Sequence, residues 1–177
     1  MINGKVIAAV RNNTDLITAL NSNVKTIFVL STNLDLVEKQ VKATHSYRKK
    51  LFVHIEFADG IAKDEYGVKH LKDLGVDGII STKSGLIKAA KKLGLFCIQR
   101  FFIVDSRSID TTVESVTSSK PDVIELMPGI IGKAIKKVKS LINVPVVAGG
   151  IIDNESEIEL ALSNGAVAVS VSKQELW

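Results

Sequence analysis

Eight short apolar runs recur along the chain: VIAAV (6–10), TIFVL (26–30), LFVHI (51–55), GIIST (78–82), FCIQR (96–100), DVIEL (122–126), PVVAG (145–149) and VAVSV (167–171). Each has the length of a β-strand and is rich in β-branched residues. Between them, apolar residues return at helical spacing. Leu34, Val37 and Val41 form one stripe, and Val68, Leu71 and Leu74 another. Leu86, Ile87, Ala90 and Leu93 follow, and then Ile131, Ala134, Ile135, Val138 and Ile142. Ile158, Ala161 and Leu162 lie beneath an acidic face of Glu155, Glu157 and Glu159. Thr14, Asp64, Ser84 and the Asn154-x-x-Glu157 box mark helix starts, and Gly75, Gly94 and Gly165 mark helix ends.

The order is strand then helix through seven helices, followed by an eighth strand and only SKQELW. Such alternation predicts a parallel sheet with right-handed crossovers. Eight units close most naturally into a (β/α)8 barrel of the TIM type, with the final helix short or missing. The rival is an open doubly wound sheet. We read residues 1–177 as one barrel domain of about 22 residues per unit, compact beside the ~250 residues usual for this fold. The βα loops must then be short, with little room for a catalytic lid.

Composition agrees with a buried parallel sheet: 46% of residues are hydrophobic but only 5% aromatic, so the core is aliphatic. That content excludes a disordered chain, and no apolar run approaches the ~18 residues of a membrane span. The first residues, MINGKVIAAVRNN, lack the form of a signal peptide, so a cytoplasmic location is expected. The single cysteine, Cys97, excludes a disulfide framework and reads as a buried small hydrophobe. The three histidines have no ligand spacing, so no metal site is expected. Neither a G-x-G-x-x-G fingerprint nor a G-x-x-x-x-G-K-S/T loop occurs. The net charge of +4 permits a polyanionic partner without demanding one.

In a parallel barrel, functional groups lie just past the C-terminal ends of the strands. Those positions hold Arg11 and Asn12, Ser31, His54 and Glu56, Ser81, Thr82 and Lys83, then Gln99 and Arg100. Glu125 with Met127-Pro128-Gly129, Gly149 with Gly150, and Ser170 with Ser172 complete the rim. The last two turns suit a phosphate: glycine lets backbone N–H groups approach, and Ser170 and Ser172 could add hydroxyl donors. The alternative for Gly149-Gly150 is simply a tight turn. Lys83 reads either as a Schiff-base or phosphate lysine or as an ordinary first-turn residue. His54 reads as a structural histidine, or with Glu56 as an acid/base pair sharing one strand face. Glu125 should face the barrel mouth if Val123 faces inward, and Arg100 is its natural partner.

Lysines cluster at Lys42 with Arg48, Lys49 and Lys50, at Lys88, Lys91 and Lys92, and at Lys133, Lys136, Lys137 and Lys139. They read as solvated helix faces, or as an RNA footprint if they merge into one surface. The stretch QRFFIVD (99–105) is apolar enough for a covered patch or a homodimer contact.

Several segments together resemble the glycerol uptake operon antiterminator family: HIEFADGIAKDEYG (54–67), GIISTKS (78–84), IQRFFIVDS (98–106), KPDVIELMPGII (120–131) and PVVAGGII (145–152). The similarity runs from Ala8 to Trp177. Its sequence departs from the family pattern at Glu56, Asp59 and Lys83, where Asp, Gln and Arg are expected. The resemblance implies a bacterial regulator, not an enzyme, that responds to glycerol 3-phosphate and binds leader mRNA of glycerol-utilisation genes. It implies no cofactor, with glycerol 3-phosphate as effector. The phosphate would fall on Gly149, Gly150, Ser170 and Ser172. The glycerol side and rim would involve Arg11, Asn12, His54, Glu56, Ser81, Lys83, Gln99, Arg100, Glu125, Pro128 and Gly129. Lys88, Lys91, Lys92, Lys133, Lys136 and Lys137 are the RNA-binding candidates. Two other readings stay open: a small phosphosugar isomerase or aldolase using Lys83 or the carboxylates, and a phosphate-ligand-binding barrel without RNA binding.

Overall fold

A computed structural model of the chain describes residues 2–177. Eight parallel strands close into a barrel. They are β1 (Val6–Val10), β2 (Thr26–Val29), β3 (Lys50–His54), β4 (Gly78–Ser81), β5 (Phe96–Phe102), β6 (Val123–Met127), β7 (Val146–Gly149) and β8 (Ala168–Val171). Consecutive strands are neighbours, and β8 returns to β1 through Ile7 paired with Ser170. The open-sheet alternative is thereby set aside. Seven helices cover the outside: α1 (Asn13–Asn21), α2 (Leu34–Ser46), α3 (Glu65–Asp73), α4 (Ser84–Lys92), α5 (Ser106–Ser119), α6 (Gly132–Leu141) and α7 (Glu155–Ser163). After β8 a single 3-10 turn (Gln174–Leu176) stands where an eighth helix would begin. Trp177 closes this corner by donating its indole N–H to the Val171 carbonyl at 2.9 Å.

The helix starts follow local side-chain chemistry. Asp64 and Asn154 cap α3 and α7 as the sequence suggests, whereas α1 is capped by Asn12, two residues before Thr14. Asn12 Oδ1 accepts from the Asp15 N–H, and the Asp15 carboxylate reaches back to the Arg11 N–H. Ser84 opens α4 without a side-chain cap. A second, two-stranded sheet, Thr32–Asn33 with Ala58–Asp59, is an addition that two-residue strands leave invisible to pattern.

Strand alternation divides the core. Ile7, Phe28, Phe52, Ile80, Ile98, Val123, Val147 and Ala168 point inward, one from each strand, and fill the barrel. Phe28 meets Phe52 edge to face with ring centroids 5.7 Å apart. The opposite strand faces, among them Ile27, Val53, Ile79 and Cys97, pack against the helices. Cys97 is buried as expected, and burial chiefly pushes its thiol up to about 12.

The interior is tight enough to dictate a glycine. A Cβ on Gly78 would lie 2.4 Å from the Phe96 carbonyl oxygen and 2.8 Å from the Phe52 ring. Gly78→Ala should therefore lower stability by about 1–3 kcal/mol, the range for overpacking a filled core. Urea denaturation checks this, and an unchanged midpoint would show that the barrel relaxes freely here.

Candidate functional site at the barrel mouth

The C-terminal ends of the strands carry a buried ionic cluster. Arg100 and Glu125 are register partners on β5 and β6, and Arg100 Nε donates to Glu125 Oε2 at 2.7 Å. The other carboxylate oxygen accepts from Ser170 Oγ on β8 at 2.5 Å. Val123 does face inward, so alternation carries Glu125 to the mouth. The Glu125–Ser170 hydrogen bond passes over β7 at Gly149. A Cβ there would fall 2.4 Å from Glu125 Oε1 and 2.5 Å from Ser170 Oγ. Gly149 is thus required by the cluster, and the hydroxyl proton of Ser170 is committed to Glu125.

Above the cluster lies a cavity of about 160 Å³. Arg11, Arg100, Glu125, Gly150, Ser170 and Ser172 line it, together with Met127, Ile151, Asp153 and Lys173. Gly150 and Ile151 both adopt left-handed backbone, φ +77° and +58°, which folds the turn after β7 sharply over the opening. The Gly129 N–H donates to the Gly150 carbonyl at 3.0 Å, so the Pro128-Gly129 loop braces that turn from outside. Arg11 and Lys173 take part in no ion pair among the described residues. A neighbouring space shares Arg11, Leu30 and Arg100 with it and is lined also by Ser31 and Phe57.

His54 sits beside this space, 2% exposed and stacked on Phe57 with ring centroids 4.8 Å apart. The chain leaves the strand at His54 and enters a 3-10 turn (Ile55–Phe57), so simple alternation does not set the position of Glu56. Glu56 Oε2 nevertheless lies 3.9 Å from His54 Nε2. Glu56 Oε1 accepts from the Ser81 hydroxyl, the Thr82 N–H and the Thr82 hydroxyl at 2.9, 2.6 and 2.9 Å. Burial pushes the Glu56 carboxyl upward, but these hydrogen bonds and neighbouring His54 outweigh it and hold the carboxyl below its usual range. Burial, and then the Arg100 guanidinium, push His54 down to about 4 against the pull of Glu56. The imidazole is therefore neutral at pH 7. Both of its ring nitrogens and Glu56 Oε2 are buried without a hydrogen-bond partner.

Other rim candidates lie elsewhere. Gln99 faces the helices because Arg100 faces the mouth; its amide contacts Ser84, Ser115 and Ser119. Asn12 spends its carboxamide oxygen on α1. Ser81 supports Glu56 from the side, and Lys83 lines an outer groove between α3 and α4 with Lys88 and Lys92. Lys133, Lys136 and Lys137 line a different groove, between α5 and α6. Helix α5 separates the two lysine sets, and Lys91 is paired with Asp122 at 2.5 Å, so the clusters do not merge into one surface. Sequence reading missed Lys173 and Phe57. Lys173 lies just beyond the predicted end of strand eight, and only its place after Ser172 could have flagged it.

A family model described as glycerol-3-phosphate responsive antiterminator matches residues 6–177. The chain belongs to that family. A glycerol uptake operon antiterminator regulatory protein from Listeria monocytogenes str. 4b F2365 superposes with a TM-score of 0.94 at 32% identity, covering 99% of this chain and 95% of that one. A glycerol uptake operon antiterminator-related protein from Thermotoga maritima MSB8 gives a TM-score of 0.89 at 28% identity, covering 100% and 99%. The uncharacterized protein YgcP of Escherichia coli K12 is 38% identical over 173 residues, 97% of this chain and 91% of that protein. A deoxyribose phosphate aldolase from Aeropyrum pernix, at 14% identity and a TM-score of 0.74, shares the fold alone. Among the described residues, this antiterminator-family chain has no helix long and apolar enough to cross a membrane.

Two outcomes follow from the mouth. Arg100→Met should cost about 3–5 kcal/mol, because it leaves the Glu125 carboxylate buried without its counter-charge. Thermal or urea unfolding measures this, and a loss below 1 kcal/mol would mean that water reaches Glu125. The depressed His54 sets a pH dependence with a definite sign. Above about pH 6.5 the histidine is neutral in both folded and unfolded chains. Between about 6.5 and 4 the unfolded chain takes up a proton that the folded one refuses, so stability falls as pH drops and levels off below about 4. Glu56, also depressed, loses stability in the same direction as it protonates. His54→Gln should flatten the part of the slope between pH 6.5 and 4.5; an unchanged slope would place the titration elsewhere.

Proposed function

We propose that this chain is a glycerol 3-phosphate-responsive transcription antiterminator that binds leader mRNA, acting as a regulator and not as an enzyme. The observation that carries the reading is the cavity in which Arg11 and Lys173, two cations with no ion pair among the described residues, share the lining with the Gly150 turn, Ser172 and, beyond the Arg100–Glu125 pair, a single carboxylate, Asp153. An anion is the natural occupant, and glycine-turn amides with flanking cations suit a phosphate. At about 160 Å³ the space is below the ~300–1,000 Å³ of drug-sized sites, which suits a ligand as small as a three-carbon phosphate. The glycerol hydroxyls would point toward Arg100 and toward the unpartnered atoms of His54 and Glu56, which offer both donor and acceptor capacity.

The same geometry weighs against the aldolase reading. Lys83 lies outside the mouth, both Glu125 oxygens are held by Arg100 and Ser170, and Glu56 Oε1 already accepts three hydrogen bonds. For RNA, the groove between α3 and α4 is the better cationic surface. Its lining is mostly charged, and Lys83 and Lys92 take part in no ion pair among the described residues. Ligand binding can shift RNA affinity only by its differential affinity for the two conformations, typically about 1–3 kcal/mol.

Calorimetry with glycerol 3-phosphate and with glycerol tests the effector. The phosphate ester should bind and glycerol should not, and Arg11→Ala should weaken binding at least ~10-fold, the effect of one charge-assisted contact. Equal or absent binding of the two compounds overturns the assignment. Leader RNA should then shift with the ligand present, with a marked salt dependence, and Lys88→Glu/Lys92→Glu should weaken RNA while sparing the ligand. Ligand binding with no RNA shift at low salt would leave a phosphate-binding barrel without RNA.

A further inference from the structure

We propose that the groove between α5 and α6 receives helix α7 of a second copy of this chain, in a two-fold homodimer. The groove has a volume of about 680 Å³. Its floor is aliphatic, with Ile103, Ile109 and Ala134, and its lip carries Val104, 84% exposed. Lys133, Lys136 and Lys137 border it along α6, against a single carboxylate, Asp105, at the start of α5. Helix α6 bears four lysines and no acidic residue, and none of the four is ion-paired among the described residues. An apolar trough edged by uncompensated cations fits a ridge that is apolar along its crest and acidic along its flank.

Helix α7 presents such a ridge. Glu155 and Glu159 lie one turn apart on its exposed face, beside Leu160, which is 45% exposed. The helix contains no basic residue, and its glutamates form no ion pair among the described residues. Helices α6 and α7 pack side by side, one wholly basic and the other wholly acidic in its charged residues. A two-fold axis running alongside them therefore sets each α7 against the other copy's lysine-edged groove. The contact is isologous, so it closes at two copies, and the groove–ridge contact occurs twice. RNA is the weaker occupant, because an aliphatic floor gives a phosphate backbone nothing to pair with and is better covered by apolar side chains.

Sedimentation equilibrium of the full chain at micromolar concentration provides the test. The wild-type chain should be dimeric. Leu160→Asp and, separately, Lys136→Glu/Lys137→Glu should each raise the dimer dissociation constant at least ~30-fold, the effect expected at an interface hot spot. Combining Lys136→Glu/Lys137→Glu with Glu155→Lys/Glu159→Lys should restore the dimer, a rescue that a misfolded variant could not give. A monomeric wild-type chain, a dimer insensitive to these changes, or charge reversals that fail to rescue would overturn the proposal. So would α6 lysine variants that lose RNA binding without changing mass. The sedimentation runs themselves contain neither ligand nor RNA, so a dimer and its rescue are read independently of the function proposed above.

Discussion

The buried Arg100–Glu125–Ser170 cluster constrains everything around it. Two charges withdrawn from water are tolerable only when geometry and remaining hydrogen bonds compensate them, and removing one partner costs far more than the pair contributes. Adjacent register on β5 and β6 provides the first condition, and the Ser170 hydroxyl helps with the second. The bond to Ser170 must cross β7, which forbids a side chain at position 149. Three strand ends are thereby tied together directly beneath the cavity. Because the pair is neutral as a unit, the electrostatic sign of the mouth is left to its rim, where Arg11 and Lys173 stand with the single carboxylate of Asp153.

The barrel was legible because eight aliphatic runs leave few other ways to bury a sheet on both faces. The Arg100–Glu125 pair was legible too, since alternation from Val123 and adjacency of strands five and six fix both residues. Alternation misleads where the backbone stops being a strand. The 3-10 turn after His54 brings Glu56 close to it by a route that period-two reasoning does not describe. Gln99 and Lys83 stand at strand ends in the sequence, yet one faces the helices and the other an outer groove. Position along a strand says how near the mouth a residue is; only its parity says on which side of the sheet it falls. Phe57 matters through its stacking on His54, which nothing in a single sequence reports, and Lys173 had only its place after Ser172 to mark it.

The outer surface shows a division of labour in its charges. Lys42 with Glu38, Lys69 with Asp73 and Lys91 with Asp122 neutralise one another locally. Exposed pairs of this kind contribute little to stability, typically about 0–1 kcal/mol. The fold accordingly loses little by leaving other charges unpaired, and it does so in distinct places: at the mouth, along the α3–α4 groove, and on the α6–α7 face. Each uncompensated patch is a local field available to something outside the chain. Their separation around the barrel keeps the three fields on different side chains.

The polar seam behind β5 has one further consequence. Along this strand Ile98 packs inside the barrel, Gln99 is held outside by Ser84, Ser115 and Ser119, and Arg100 returns inside to Glu125. A slip of one residue during folding would exchange the two sides. It would strand a guanidinium among serine hydroxyls and a carboxylate against an uncharged amide. The strand is therefore addressed twice, once from each face, and an off-register barrel would carry two buried errors for a single misstep. In a sheet whose strands are largely aliphatic, this strand carries adjacent buried polar side chains on opposite faces and so marks the correct register for its neighbours.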